Sequence, residues 1–363
     1  MRNLLRVLAM VFLFLSFVGW TSPARAGILN NVSGAMRAYS LRQLDDDYTG
    51  AAIEVRRSSD DTTQDIGFDA NGNLDVVAML GFVGAGDGYV VTWYDQTTAG
   101  AGDVSDITHE DQPRIVSGGA LITAANGETA VKFSEGQVLH ASHGTPLIAK
   151  NTVFTVAQFL SLPGNGSLDM RFWSLLSAGA TRLSTGGDAI VGGEARLAVA
   201  YGTPFACKES SYVLSTTSVL LATTVADATQ ASGSDTIELF ANGESVFGLT
   251  NVSISQDDDF LAIGGYDANG SNFGLHGYLQ EVIFYGDLDT IDRQRVEADV
   301  MKTYGIPEPS SLVLVLMGIG GLSLVGLARG RNRRPELMER RDGLALGMCT
   351  FGGKAGISPT ATG

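Results

Sequence analysis

The sequence predicts an all-β domain built as a two-sheet sandwich with one late helix. The chain has 46 glycines among its 363 residues and is 44% hydrophobic, which is typical of a turn-rich structure with a large core. Short apolar or alternating runs, each long enough for one strand, are separated by clusters of Gly, Asn, Asp and Ser. About a dozen such runs and a single convincing helix pattern favour two stacked sheets, a jelly-roll arrangement.

The individual elements follow in chain order. Four early strands are predicted at residues 88–94, 130–133, 152–159 and 197–201. A hairpin is predicted from residues 236–240 and 244–247, because they flank Asn242-Gly243, a dipeptide that accepts positive φ at both turn positions. Two more strands, at 260–263 and 278–285, are joined by a loop rich in Gly and Asn.

The late helix is predicted at residues 289–304. Asp289 or Thr290 can cap its N-terminus. A set of four large residues recurs at helical spacing and is expected to form the buried face: Ile291, Val296, Val300 and Tyr304.

Residues 1–26 resemble a secretory signal peptide. Arg2 and Arg6 flank the start of an apolar run at residues 7–18, and Ala24-Arg25-Ala26 has the small-x-small pattern that signal peptidase recognises. We therefore expect signal peptidase to cut after Ala26. The exported part is then residues 27–306, long enough for one large β-domain.

A second targeting signal lies near the C-terminus. Pro307-Glu308-Pro309 precedes a 19-residue apolar stretch, residues 310–328, and an arginine cluster follows at residues 329–334. At about 1.5 Å rise per residue, a helix of this length crosses a bilayer once, and the positive-inside rule keeps the arginines cytoplasmic. Residues 307–334 in this order resemble the PEP-CTERM sorting tail. The alternative is a buried core helix.

The PEP-CTERM resemblance implies processing partners and a location. The partner is an exosortase-type transpeptidase that recognises and cuts the tail, so the inner membrane would hold the protein only until processing. The mature domain is then expected at the cell surface or outside the cell. Residues 335–363 continue beyond the usual end of such tails, and the sequence gives them no role.

Charge and cysteine content limit the classes of molecule that the exported domain can bind and the disulfides that it can form. The expected exported part carries 14 basic and 35 acidic side chains, a net charge of −21. This argues against nucleic acid and anionic lipid and leaves a neutral glycan or a cation. Cys207 and Cys349 lie on opposite sides of the apolar stretch, so no disulfide within the exported domain is available and Cys207 is a free or buried thiol, unless it pairs with another chain.

Five spaced segments in the N-terminal third resemble one known family. They are Ala38-Tyr39-Ser40-Leu41-Arg42, Tyr48-Thr49-Gly50, the run at residues 55–61, Gly72-Asn73-Leu74-Asp75 and Trp93-Tyr94-Asp95-Gln96. Together they look like the catalytic domain of the arabinofuranosidase B family, with a fainter likeness to Tyr304. The resemblance implies a concanavalin A-like sandwich, an architecture shared with laminin-G-like lectins.

The same resemblance implies retaining hydrolysis of terminal α-L-arabinofuranosyl groups. That reaction needs two carboxyl groups about 5 to 5.5 Å apart, one as nucleophile and one as acid/base. The family's acid/base aspartate follows a Gly-Gly pair, and here Gly264-Gly265 is followed by Tyr266 and then Asp267, the candidate acid/base, displaced by one residue. A turn formed with Asn269-Gly270 is its structural alternative.

No nucleophile matches the family pattern. The corresponding stretch, residues 193–212, offers Glu194 and Glu209 outside any matching motif, and Glu209 beside Lys208 reads as a surface pair. Without a second carboxylate the domain would hold sugars without cutting them. The nucleophile therefore stays unassigned.

Sugar contacts are expected near two strand ends. Flat rings stack on sugars, and amide or carboxylate oxygens reach hydroxyl groups. The candidate substrate-binding residues are Trp93, Tyr94, Asp95, Gln96, Tyr266 and Asn269. Alternation along the strand places Trp93 and Tyr94 on opposite faces, so only one of them can line a binding surface. For Asp95 the alternative is a buried structural carboxylate.

No metal site follows firmly from the sequence. No cofactor is expected, although calcium is possible. The series Asp69, Asn71, Asn73, Asp75 spaces oxygen ligands as calcium loops do, but the glycine and glutamate positions of such a loop are unmatched. Residues 257–259 are three aspartates that read either as a turn or as a calcium cluster. His140 and His143 have no third zinc ligand near in sequence.

Three functions remain in competition. The first is an exported, surface-sorted hydrolase of the arabinofuranosidase type that acts on arabinose-containing or extracellular polysaccharide. The second is the same sandwich acting as a lectin, and the third is a matrix or adhesion protein without a sugar site. The favoured prediction is a carbohydrate-active domain whose partner is a polysaccharide, with catalysis undecided.

Overall fold

The computed structural model describes residues 27–97, 102–144, 146–163, 170–177, 180–189, 194–202, 206–231, 233–266 and 273–308. Within these ranges the chain is mostly β-strand with few helices, as the sequence predicts. The predicted signal peptide, the apolar stretch and residues 335–363 lie outside them. None of the helices in the described ranges has both the length and the apolar character needed to cross a membrane.

The strands of the described ranges are numbered in chain order. The first ten are β1 Ala35–Ser40, β2 Ile53–Arg57, β3 Thr63–Ile66, β4 Gly88–Trp93, β5 Val104–Ser105, β6 Arg114–Ser117, β7 Ala120–Leu121, β8 Val131–Phe133, β9 Leu139–Ser142 and β10 Lys150–Phe159. The others are β11 Met170–Ser177, β12 Ala180–Ala189, β13 Ala195–Tyr201, β14 Ala206–Val213, β15 Leu220–Asp227, β16 Asp235–Ala241, β17 Glu244–Val252, β18 Phe260–Ile263 and β19 Gly277–Tyr285. The helices are α1 Ile28–Asn31, α2 Val76–Val83 and α3 Thr290–Tyr304.

The strands form two antiparallel layers. The back sheet has the order β1-β19-β10-β15-β16-β17. The front sheet has the order β14-β13-β12-β11-β18-β9-β5-β4-β2-β3. Strands β8 and β6 connect β19 to β4 and β7 extends β6, so one hydrogen-bonded network folds over on itself.

The main hydrophobic core lies between the two sheets. Trp173 of β11 meets Phe284 of β19 edge to face, with ring centroids 5.3 Å apart. The hydroxyl groups of Thr185 in β12 and Thr224 in β15 form a 2.7 Å hydrogen bond in the same interior. These contacts join opposite sheets, which confirms the predicted sandwich.

Helix α3 covers the outer side of the back sheet. Val296 and Val300 pack in a second core with Phe154 of β10 and Ile283 of β19. The predicted cap is Asp289, whose side chain accepts a 2.8 Å hydrogen bond from the Asp292 N–H. Ile291 does not join the buried face and is 61% exposed. It is nine residues from the buried Val300, about two and a half turns, and therefore lies on the opposite side of the helix.

The predicted hairpin is formed by β16 and β17. Asn242 and Gly243 have φ of 51° and 80°, as a tight two-residue turn requires. The Asn242 Oδ1 atom also accepts a 2.9 Å hydrogen bond from the Leu221 N–H. This side chain therefore ties the turn to β15.

Helix α2 was not predicted from the sequence. Its eight residues are all apolar or glycine, so they show no amphipathic period. Its N-terminus is capped by Asp75, whose Oδ1 accepts a 2.9 Å hydrogen bond from the Ala78 N–H. An aspartate ahead of an apolar run was the available signal.

A buried ionic network joins the two ends of the described chain. The Arg42 guanidinium donates to both carboxylate oxygens of Glu281, over 2.8 and 3.0 Å. Glu281 also accepts hydrogen bonds from the Ser40 and Tyr304 hydroxyls, and Arg42 contacts Asp299 of α3 over 2.9 Å. The network therefore connects the end of β1, the middle of β19 and α3.

Candidate functional site

The candidate site is the outer side of the front sheet, which we call the front face. Residues on alternate positions of the front strands point away from the main core. One in-register row crosses six strands and consists mainly of small side chains: His140, Ala262, Ser174, Ser184, Ala200 and Cys207.

The centre of this row is buried and its ends are partly exposed. Ser174, Ser184, Ala200 and Ala262 are each 0% exposed. The Ser174 hydroxyl donates a 3.0 Å hydrogen bond to the Gly265 carbonyl, at the end of β18. A ligand on the front face would therefore meet the ends of the row before its centre.

At one end of the row, His140 lies between an aromatic ring and a carboxylate. Its ring stacks on Phe260 with centroids 5.2 Å apart, and its Nε2 is 3.5 Å from the Asp106 Oδ2. The stacked pair presents a flat surface beside the row. Neither His140 nor Phe260 was predicted from the sequence as a sugar contact.

At the other end of the row, the sulfur of Cys207 contacts a carboxylate. Its Sγ donates to the Asp188 Oδ2 over 3.1 Å. Asp188 lies near the end of β12, and Glu209 lies on β14 two residues beyond Cys207. The structure thus places two carboxylates on this side of the front face, of which the sequence had indicated only Glu209.

Tyr266 lies directly after β18 at the edge of the front face. Its ring contacts the Phe273 ring edge to face, with centroids 5.2 Å apart. The Arg171 guanidinium lies 5.8 Å from the Phe273 centroid, and Arg171 is 1% exposed. Tyr266 is half-buried and keeps part of its surface open.

Asp267 and Asn269 lie outside the described residues. The acid/base assignment of Asp267 stays a prediction. Glu194, the other nucleophile candidate, forms a 2.7 Å exposed ion pair with Arg196.

The predicted Trp93 to Gln96 contact group divides into buried and accessible parts. Trp93 is 0% exposed and meets Tyr39 edge to face in the main core. Tyr94 points the other way and donates a 2.7 Å hydrogen bond to Asp65. This placement corrects the expectation for Trp93, since alternation turned its ring into the core, and leaves Tyr94 as the accessible ring.

Asp95 and Gln96 are structural in this fold. The Asp95 Oδ1 accepts hydrogen bonds from the Ala38 N–H and from the N–H and hydroxyl of Thr97, over 2.9, 3.0 and 2.7 Å. The Gln96 side-chain oxygen accepts a hydrogen bond from the Leu44 N–H, and its NH2 group donates to the Ser40 and Arg42 carbonyls. Both side chains are buried, so the structural alternative replaces their predicted role as substrate contacts. Burial raises the pKa of Asp95.

Other polar residues in the family-like segments are also structural. Arg56 donates to Gln112 over 2.7 Å and to Asp61 over 2.5 Å, while its guanidinium lies 4.7 Å from the Tyr89 centroid. Arg57 forms a two-point ion pair with Asp60. These side chains contribute to the framework through hydrogen bonds and ion pairs with other residues of the chain.

The calcium and zinc candidates do not converge on a metal position. The Asp69 Oδ1 accepts hydrogen bonds from the Asn71 and Asn73 N–H groups, and Asp75 caps α2. His140 and His143 face different carboxylates, Asp106 and Asp258. Across the described ranges, no group of three His, Cys, Asp or Glu side chains could hold a metal ion.

The three aspartates at 257–259 also have separate roles. Asp257 forms a two-point ion pair with Arg182, over 2.6 and 3.0 Å. Asp258 is buried, accepts from the Leu147 and Ile148 N–H groups, and its pKa is raised by burial. Asp259 is exposed. The segment is therefore joined to β12 through Asp257 and to residues 147–148 through Asp258.

Of the predicted sorting motif, the described residues include Pro307 and Glu308. Both are exposed and follow α3 after Gly305 and Ile306. Pro309 and the apolar stretch lie outside the described residues. The sorting role therefore stays a prediction.

The fold is similar to that of solved arabinofuranosidases. One is an arabinofuranosidase complexed with arabinofuranosyl-α-1,2-xylobiose, at 13% identity and a TM-score of 0.56. Another is a GH54 α-L-arabinofuranosidase soaked with a cyclic sulfate inhibitor, at 16% identity and a TM-score of 0.56. A third is a mutant GH54 α-L-arabinofuranosidase soaked with 4-nitrophenyl α-L-arabinofuranoside, at 16% identity and a TM-score of 0.52.

Each of these similarities covers 75% of this chain and 64% of the other chain. The chain thus spans less than two thirds of the length of these enzymes. No family model and no curated protein matches the sequence. At this level of identity the likeness establishes a glycoside-hydrolase-like β-sandwich fold.

Proposed function

We propose that this chain is an exported carbohydrate-active protein that engages arabinose-containing or other extracellular polysaccharide at the front face. The observation that carries the proposal is the fold similarity to arabinofuranosidases over 75% of the chain. The sequence resemblance in the N-terminal third points independently to the same family.

The front face supplies the chemistry that sugar recognition needs. Tyr266 and the stacked His140 and Phe260 offer flat apolar surfaces at its rim, and sugar rings stack on such surfaces through their C–H faces. Carboxylates at the other end of the row, Asp188 and Glu209, can accept hydrogen bonds from hydroxyl groups. An extended neutral glycan could contact both ends.

If the protein is a hydrolase, Asp267 is the proposed acid/base. Its nucleophile would be a front-face carboxylate, and the candidates are Glu209 and Asp188. A retaining mechanism needs the two carboxyl groups about 5 to 5.5 Å apart, so that one attacks the anomeric carbon while the other protonates the leaving oxygen. The Cys207 hydrogen bond to Asp188 holds that carboxylate at the face but occupies one of its oxygens, which favours Glu209.

The location belongs to the same proposal. Signal peptidase cleavage after Ala26 and an exosortase-type reaction at the Pro307-Glu308-Pro309 tail would deliver residues 27–306 to the cell surface or beyond. Glycans are abundant there. The net charge of −21 on this part suits a neutral polysaccharide better than an anionic one.

The test combines turnover and binding in the full-length protein. Release of 4-nitrophenol from 4-nitrophenyl α-L-arabinofuranoside measures hydrolysis, and gel retardation by arabinan measures binding. The variant Asp267→Asn removes the proposed acid/base, and Asp47→Asn is a control with the same charge change at an exposed turn.

Turnover that Asp267→Asn abolishes and Asp47→Asn preserves would identify a retained arabinofuranosidase. Retardation without turnover would identify a lectin-like protein, the second candidate, which the burial of the row centre favours. Neither turnover nor retardation with arabinan or other neutral polysaccharides would overturn the proposal and leave a matrix role.

A further inference from the structure

A cavity of about 330 Å³ opens away from the front face, between α2, the turn at residues 126–129 and the C-terminal end of α3. This volume lies at the lower end of the range of about 300–1,000 Å³ that is typical of small-molecule sites. Its polar lining includes Asp69, Asn73, Asp75, Glu128, Thr129 and Thr303. Its lining includes no member of the row that crosses the front face, so the cavity is separate from that row.

Among the described residues that line the cavity, the one cation is already paired with carboxylates. This cation is Arg42, whose guanidinium is bound by Glu281 through two hydrogen bonds and by Asp299 over 2.9 Å. The lining then adds Asp69, Asp75 and Glu128. The local charge is negative, so sulfate, phosphate and uronate groups are repelled.

The two aspartates are fixed hydrogen-bond acceptors. The Asp69 Oδ1 is held by the Asn71 and Asn73 N–H groups over 2.8 and 3.0 Å, and the Asp75 Oδ1 by the Ala78 N–H. Each of these hydrogen bonds is accepted by an Oδ1 atom, and the Oδ2 atoms take no part in them. Backbone hydrogen bonds from Asn73 and Asn71 lower the pKa of Asp69, so its carboxylate stays ionised. A ligand with hydroxyl donors meets acceptors that need no reorganisation.

Part of the cavity lining is apolar. It is formed by Leu41, Leu74, Val76 and Val77, and Val77 is 84% exposed at the mouth. Thr129, Thr303 and the carboxylates line other parts of the same cavity. A sugar ring has this same division, with C–H groups on its faces and hydroxyls around its edge. A metal ion has no use for the apolar lining, and the described carboxylates form no three-member cluster that could hold one.

We propose that this cavity binds a neutral saccharide unit, at a second site that is independent of the front face. The aliphatic lining would contact the ring, and Asp69, Asp75 and Glu128 would accept hydrogen bonds from its hydroxyls. Two separate sites would let one molecule hold two glycan segments, which raises avidity without new contacts at either site.

The test is hydrogen–deuterium exchange of the full-length protein, read by mass spectrometry with the neutral probes arabinotriose and xylotriose. We expect slower exchange in peptides that cover residues 69–77 and 126–130 with at least one of them. Trigalacturonic acid, an anionic trimer of similar size, should give no protection there because of the negative lining.

Two variants localise the effect. Glu128→Ala removes an exposed carboxylate of the lining and should weaken binding about tenfold, the cost of one hydrogen bond to a charged group. Glu135→Ala, an exposed glutamate outside the lining, is its matched control and should bind normally. Thr303→Trp should fill the cavity and abolish protection at residues 69–77.

Protection confined to residues 260–266 and 273–277 would support the front-face proposal and overturn this one. No protection at 69–77 with either neutral trisaccharide, or equal protection with trigalacturonic acid, would also overturn it. Slower exchange at residues 69–77, with no slowing in the peptides around Tyr266, would support the cavity proposal and count against sugar binding at the front face. The two proposals therefore fail separately.

Discussion

At the residue scale, the Asp257–Arg182 pair is the clearest pH-sensitive contact. Hydrogen bonds from the Arg182 guanidinium and the Ser255 hydroxyl lower the pKa of Asp257 from 3.8 to about 2. A carboxylate with a lowered folded-state pKa contributes stability above its unfolded pKa and loses it as the pH falls through the folded one. The contribution of this pair is therefore present at pH 7 and lost between about pH 4 and pH 2.

We predict that Asp257→Asn lowers the Tm at pH 7 and flattens the fall in Tm between pH 4 and pH 2. Because the Asp257 side chain is 57% exposed, solvent screening limits the loss to about 1 kcal/mol or less. Thermal unfolding of both proteins at pH 7, 4 and 2.5 measures it. Asp259→Asn, an exposed neighbour, should leave both values unchanged, and an equal effect of the two substitutions would contradict the assignment.

Single residues also show why the predicted contact group divided. Trp93 and Tyr94 differ by one position, and in a strand this reverses the side chain from the core to the surface. The sequence could state that only one ring is accessible. It could not state which one, because that depends on which side of β4 the second sheet covers.

At the element scale, α2 depends on its cap. An eight-residue helix cannot stabilise itself through its own hydrogen bonds, and its first turn has unsatisfied N–H groups. We predict that Asp75→Ala lowers the free energy of unfolding by about 1 kcal/mol, the usual value for a lost N-cap. Urea unfolding at neutral pH measures it.

The control for this prediction is Asp47→Ala, which removes an exposed aspartate from a turn. It should change the free energy of unfolding by no more than about 0.5 kcal/mol. If Asp75→Ala lowered the free energy of unfolding no more than this control does, the hydrogen bond from the Ala78 N–H to Asp75 would make no net contribution to stability. The substitution Asp75→Asn should retain most of the stability because asparagine also caps helices.

Elements with a strong local pattern were predicted, and elements without one were not. The β16–β17 hairpin and α3 each carry turn or cap residues at fixed offsets from a periodic run. Helix α2 and short strands such as β5 and β7 have no such period, because their shape is imposed by neighbours. The exposed Ile291 is the opposite case, a large residue assigned to the buried face although it lies about two and a half turns from the buried Val300, on the other side of the helix.

At the scale of the whole molecule, the Arg42–Glu281 network joins regions about 240 residues apart in sequence. Glu281 is 0% exposed, so an unpaired charge left in its place would be costly. We predict that Glu281→Gln lowers the free energy of unfolding by about 3 kcal/mol or more, since Arg42 loses its two-point partner. Equilibrium unfolding monitored by Trp fluorescence measures it.

An exposed ion pair on α3 provides the comparison with the buried Arg42–Glu281 pair. Arg295 pairs with Asp292 over 2.7 Å, and its side chain is 63% exposed. Arg295→Ala should cost about 0.5 kcal/mol or less. A loss for Glu281→Gln no larger than this would mean that the ends of the chain are held together by packing of α3 alone.

The sequence by itself determined the fold class, the late helix, the hairpin and the acidic, glycan-compatible character of the domain. Each follows from local periodicity or turn chemistry, which involve a few neighbouring residues, or from the amino-acid composition of the whole domain. Only the tertiary structure decided that Trp93, Asp95 and Gln96 belong to the framework, that Asp188 and Glu209 are on one side of the front face, and that a negatively lined cavity lies beside α3. These facts depend on which strands become neighbours, and strand pairing across hundreds of residues leaves no local pattern in a single chain.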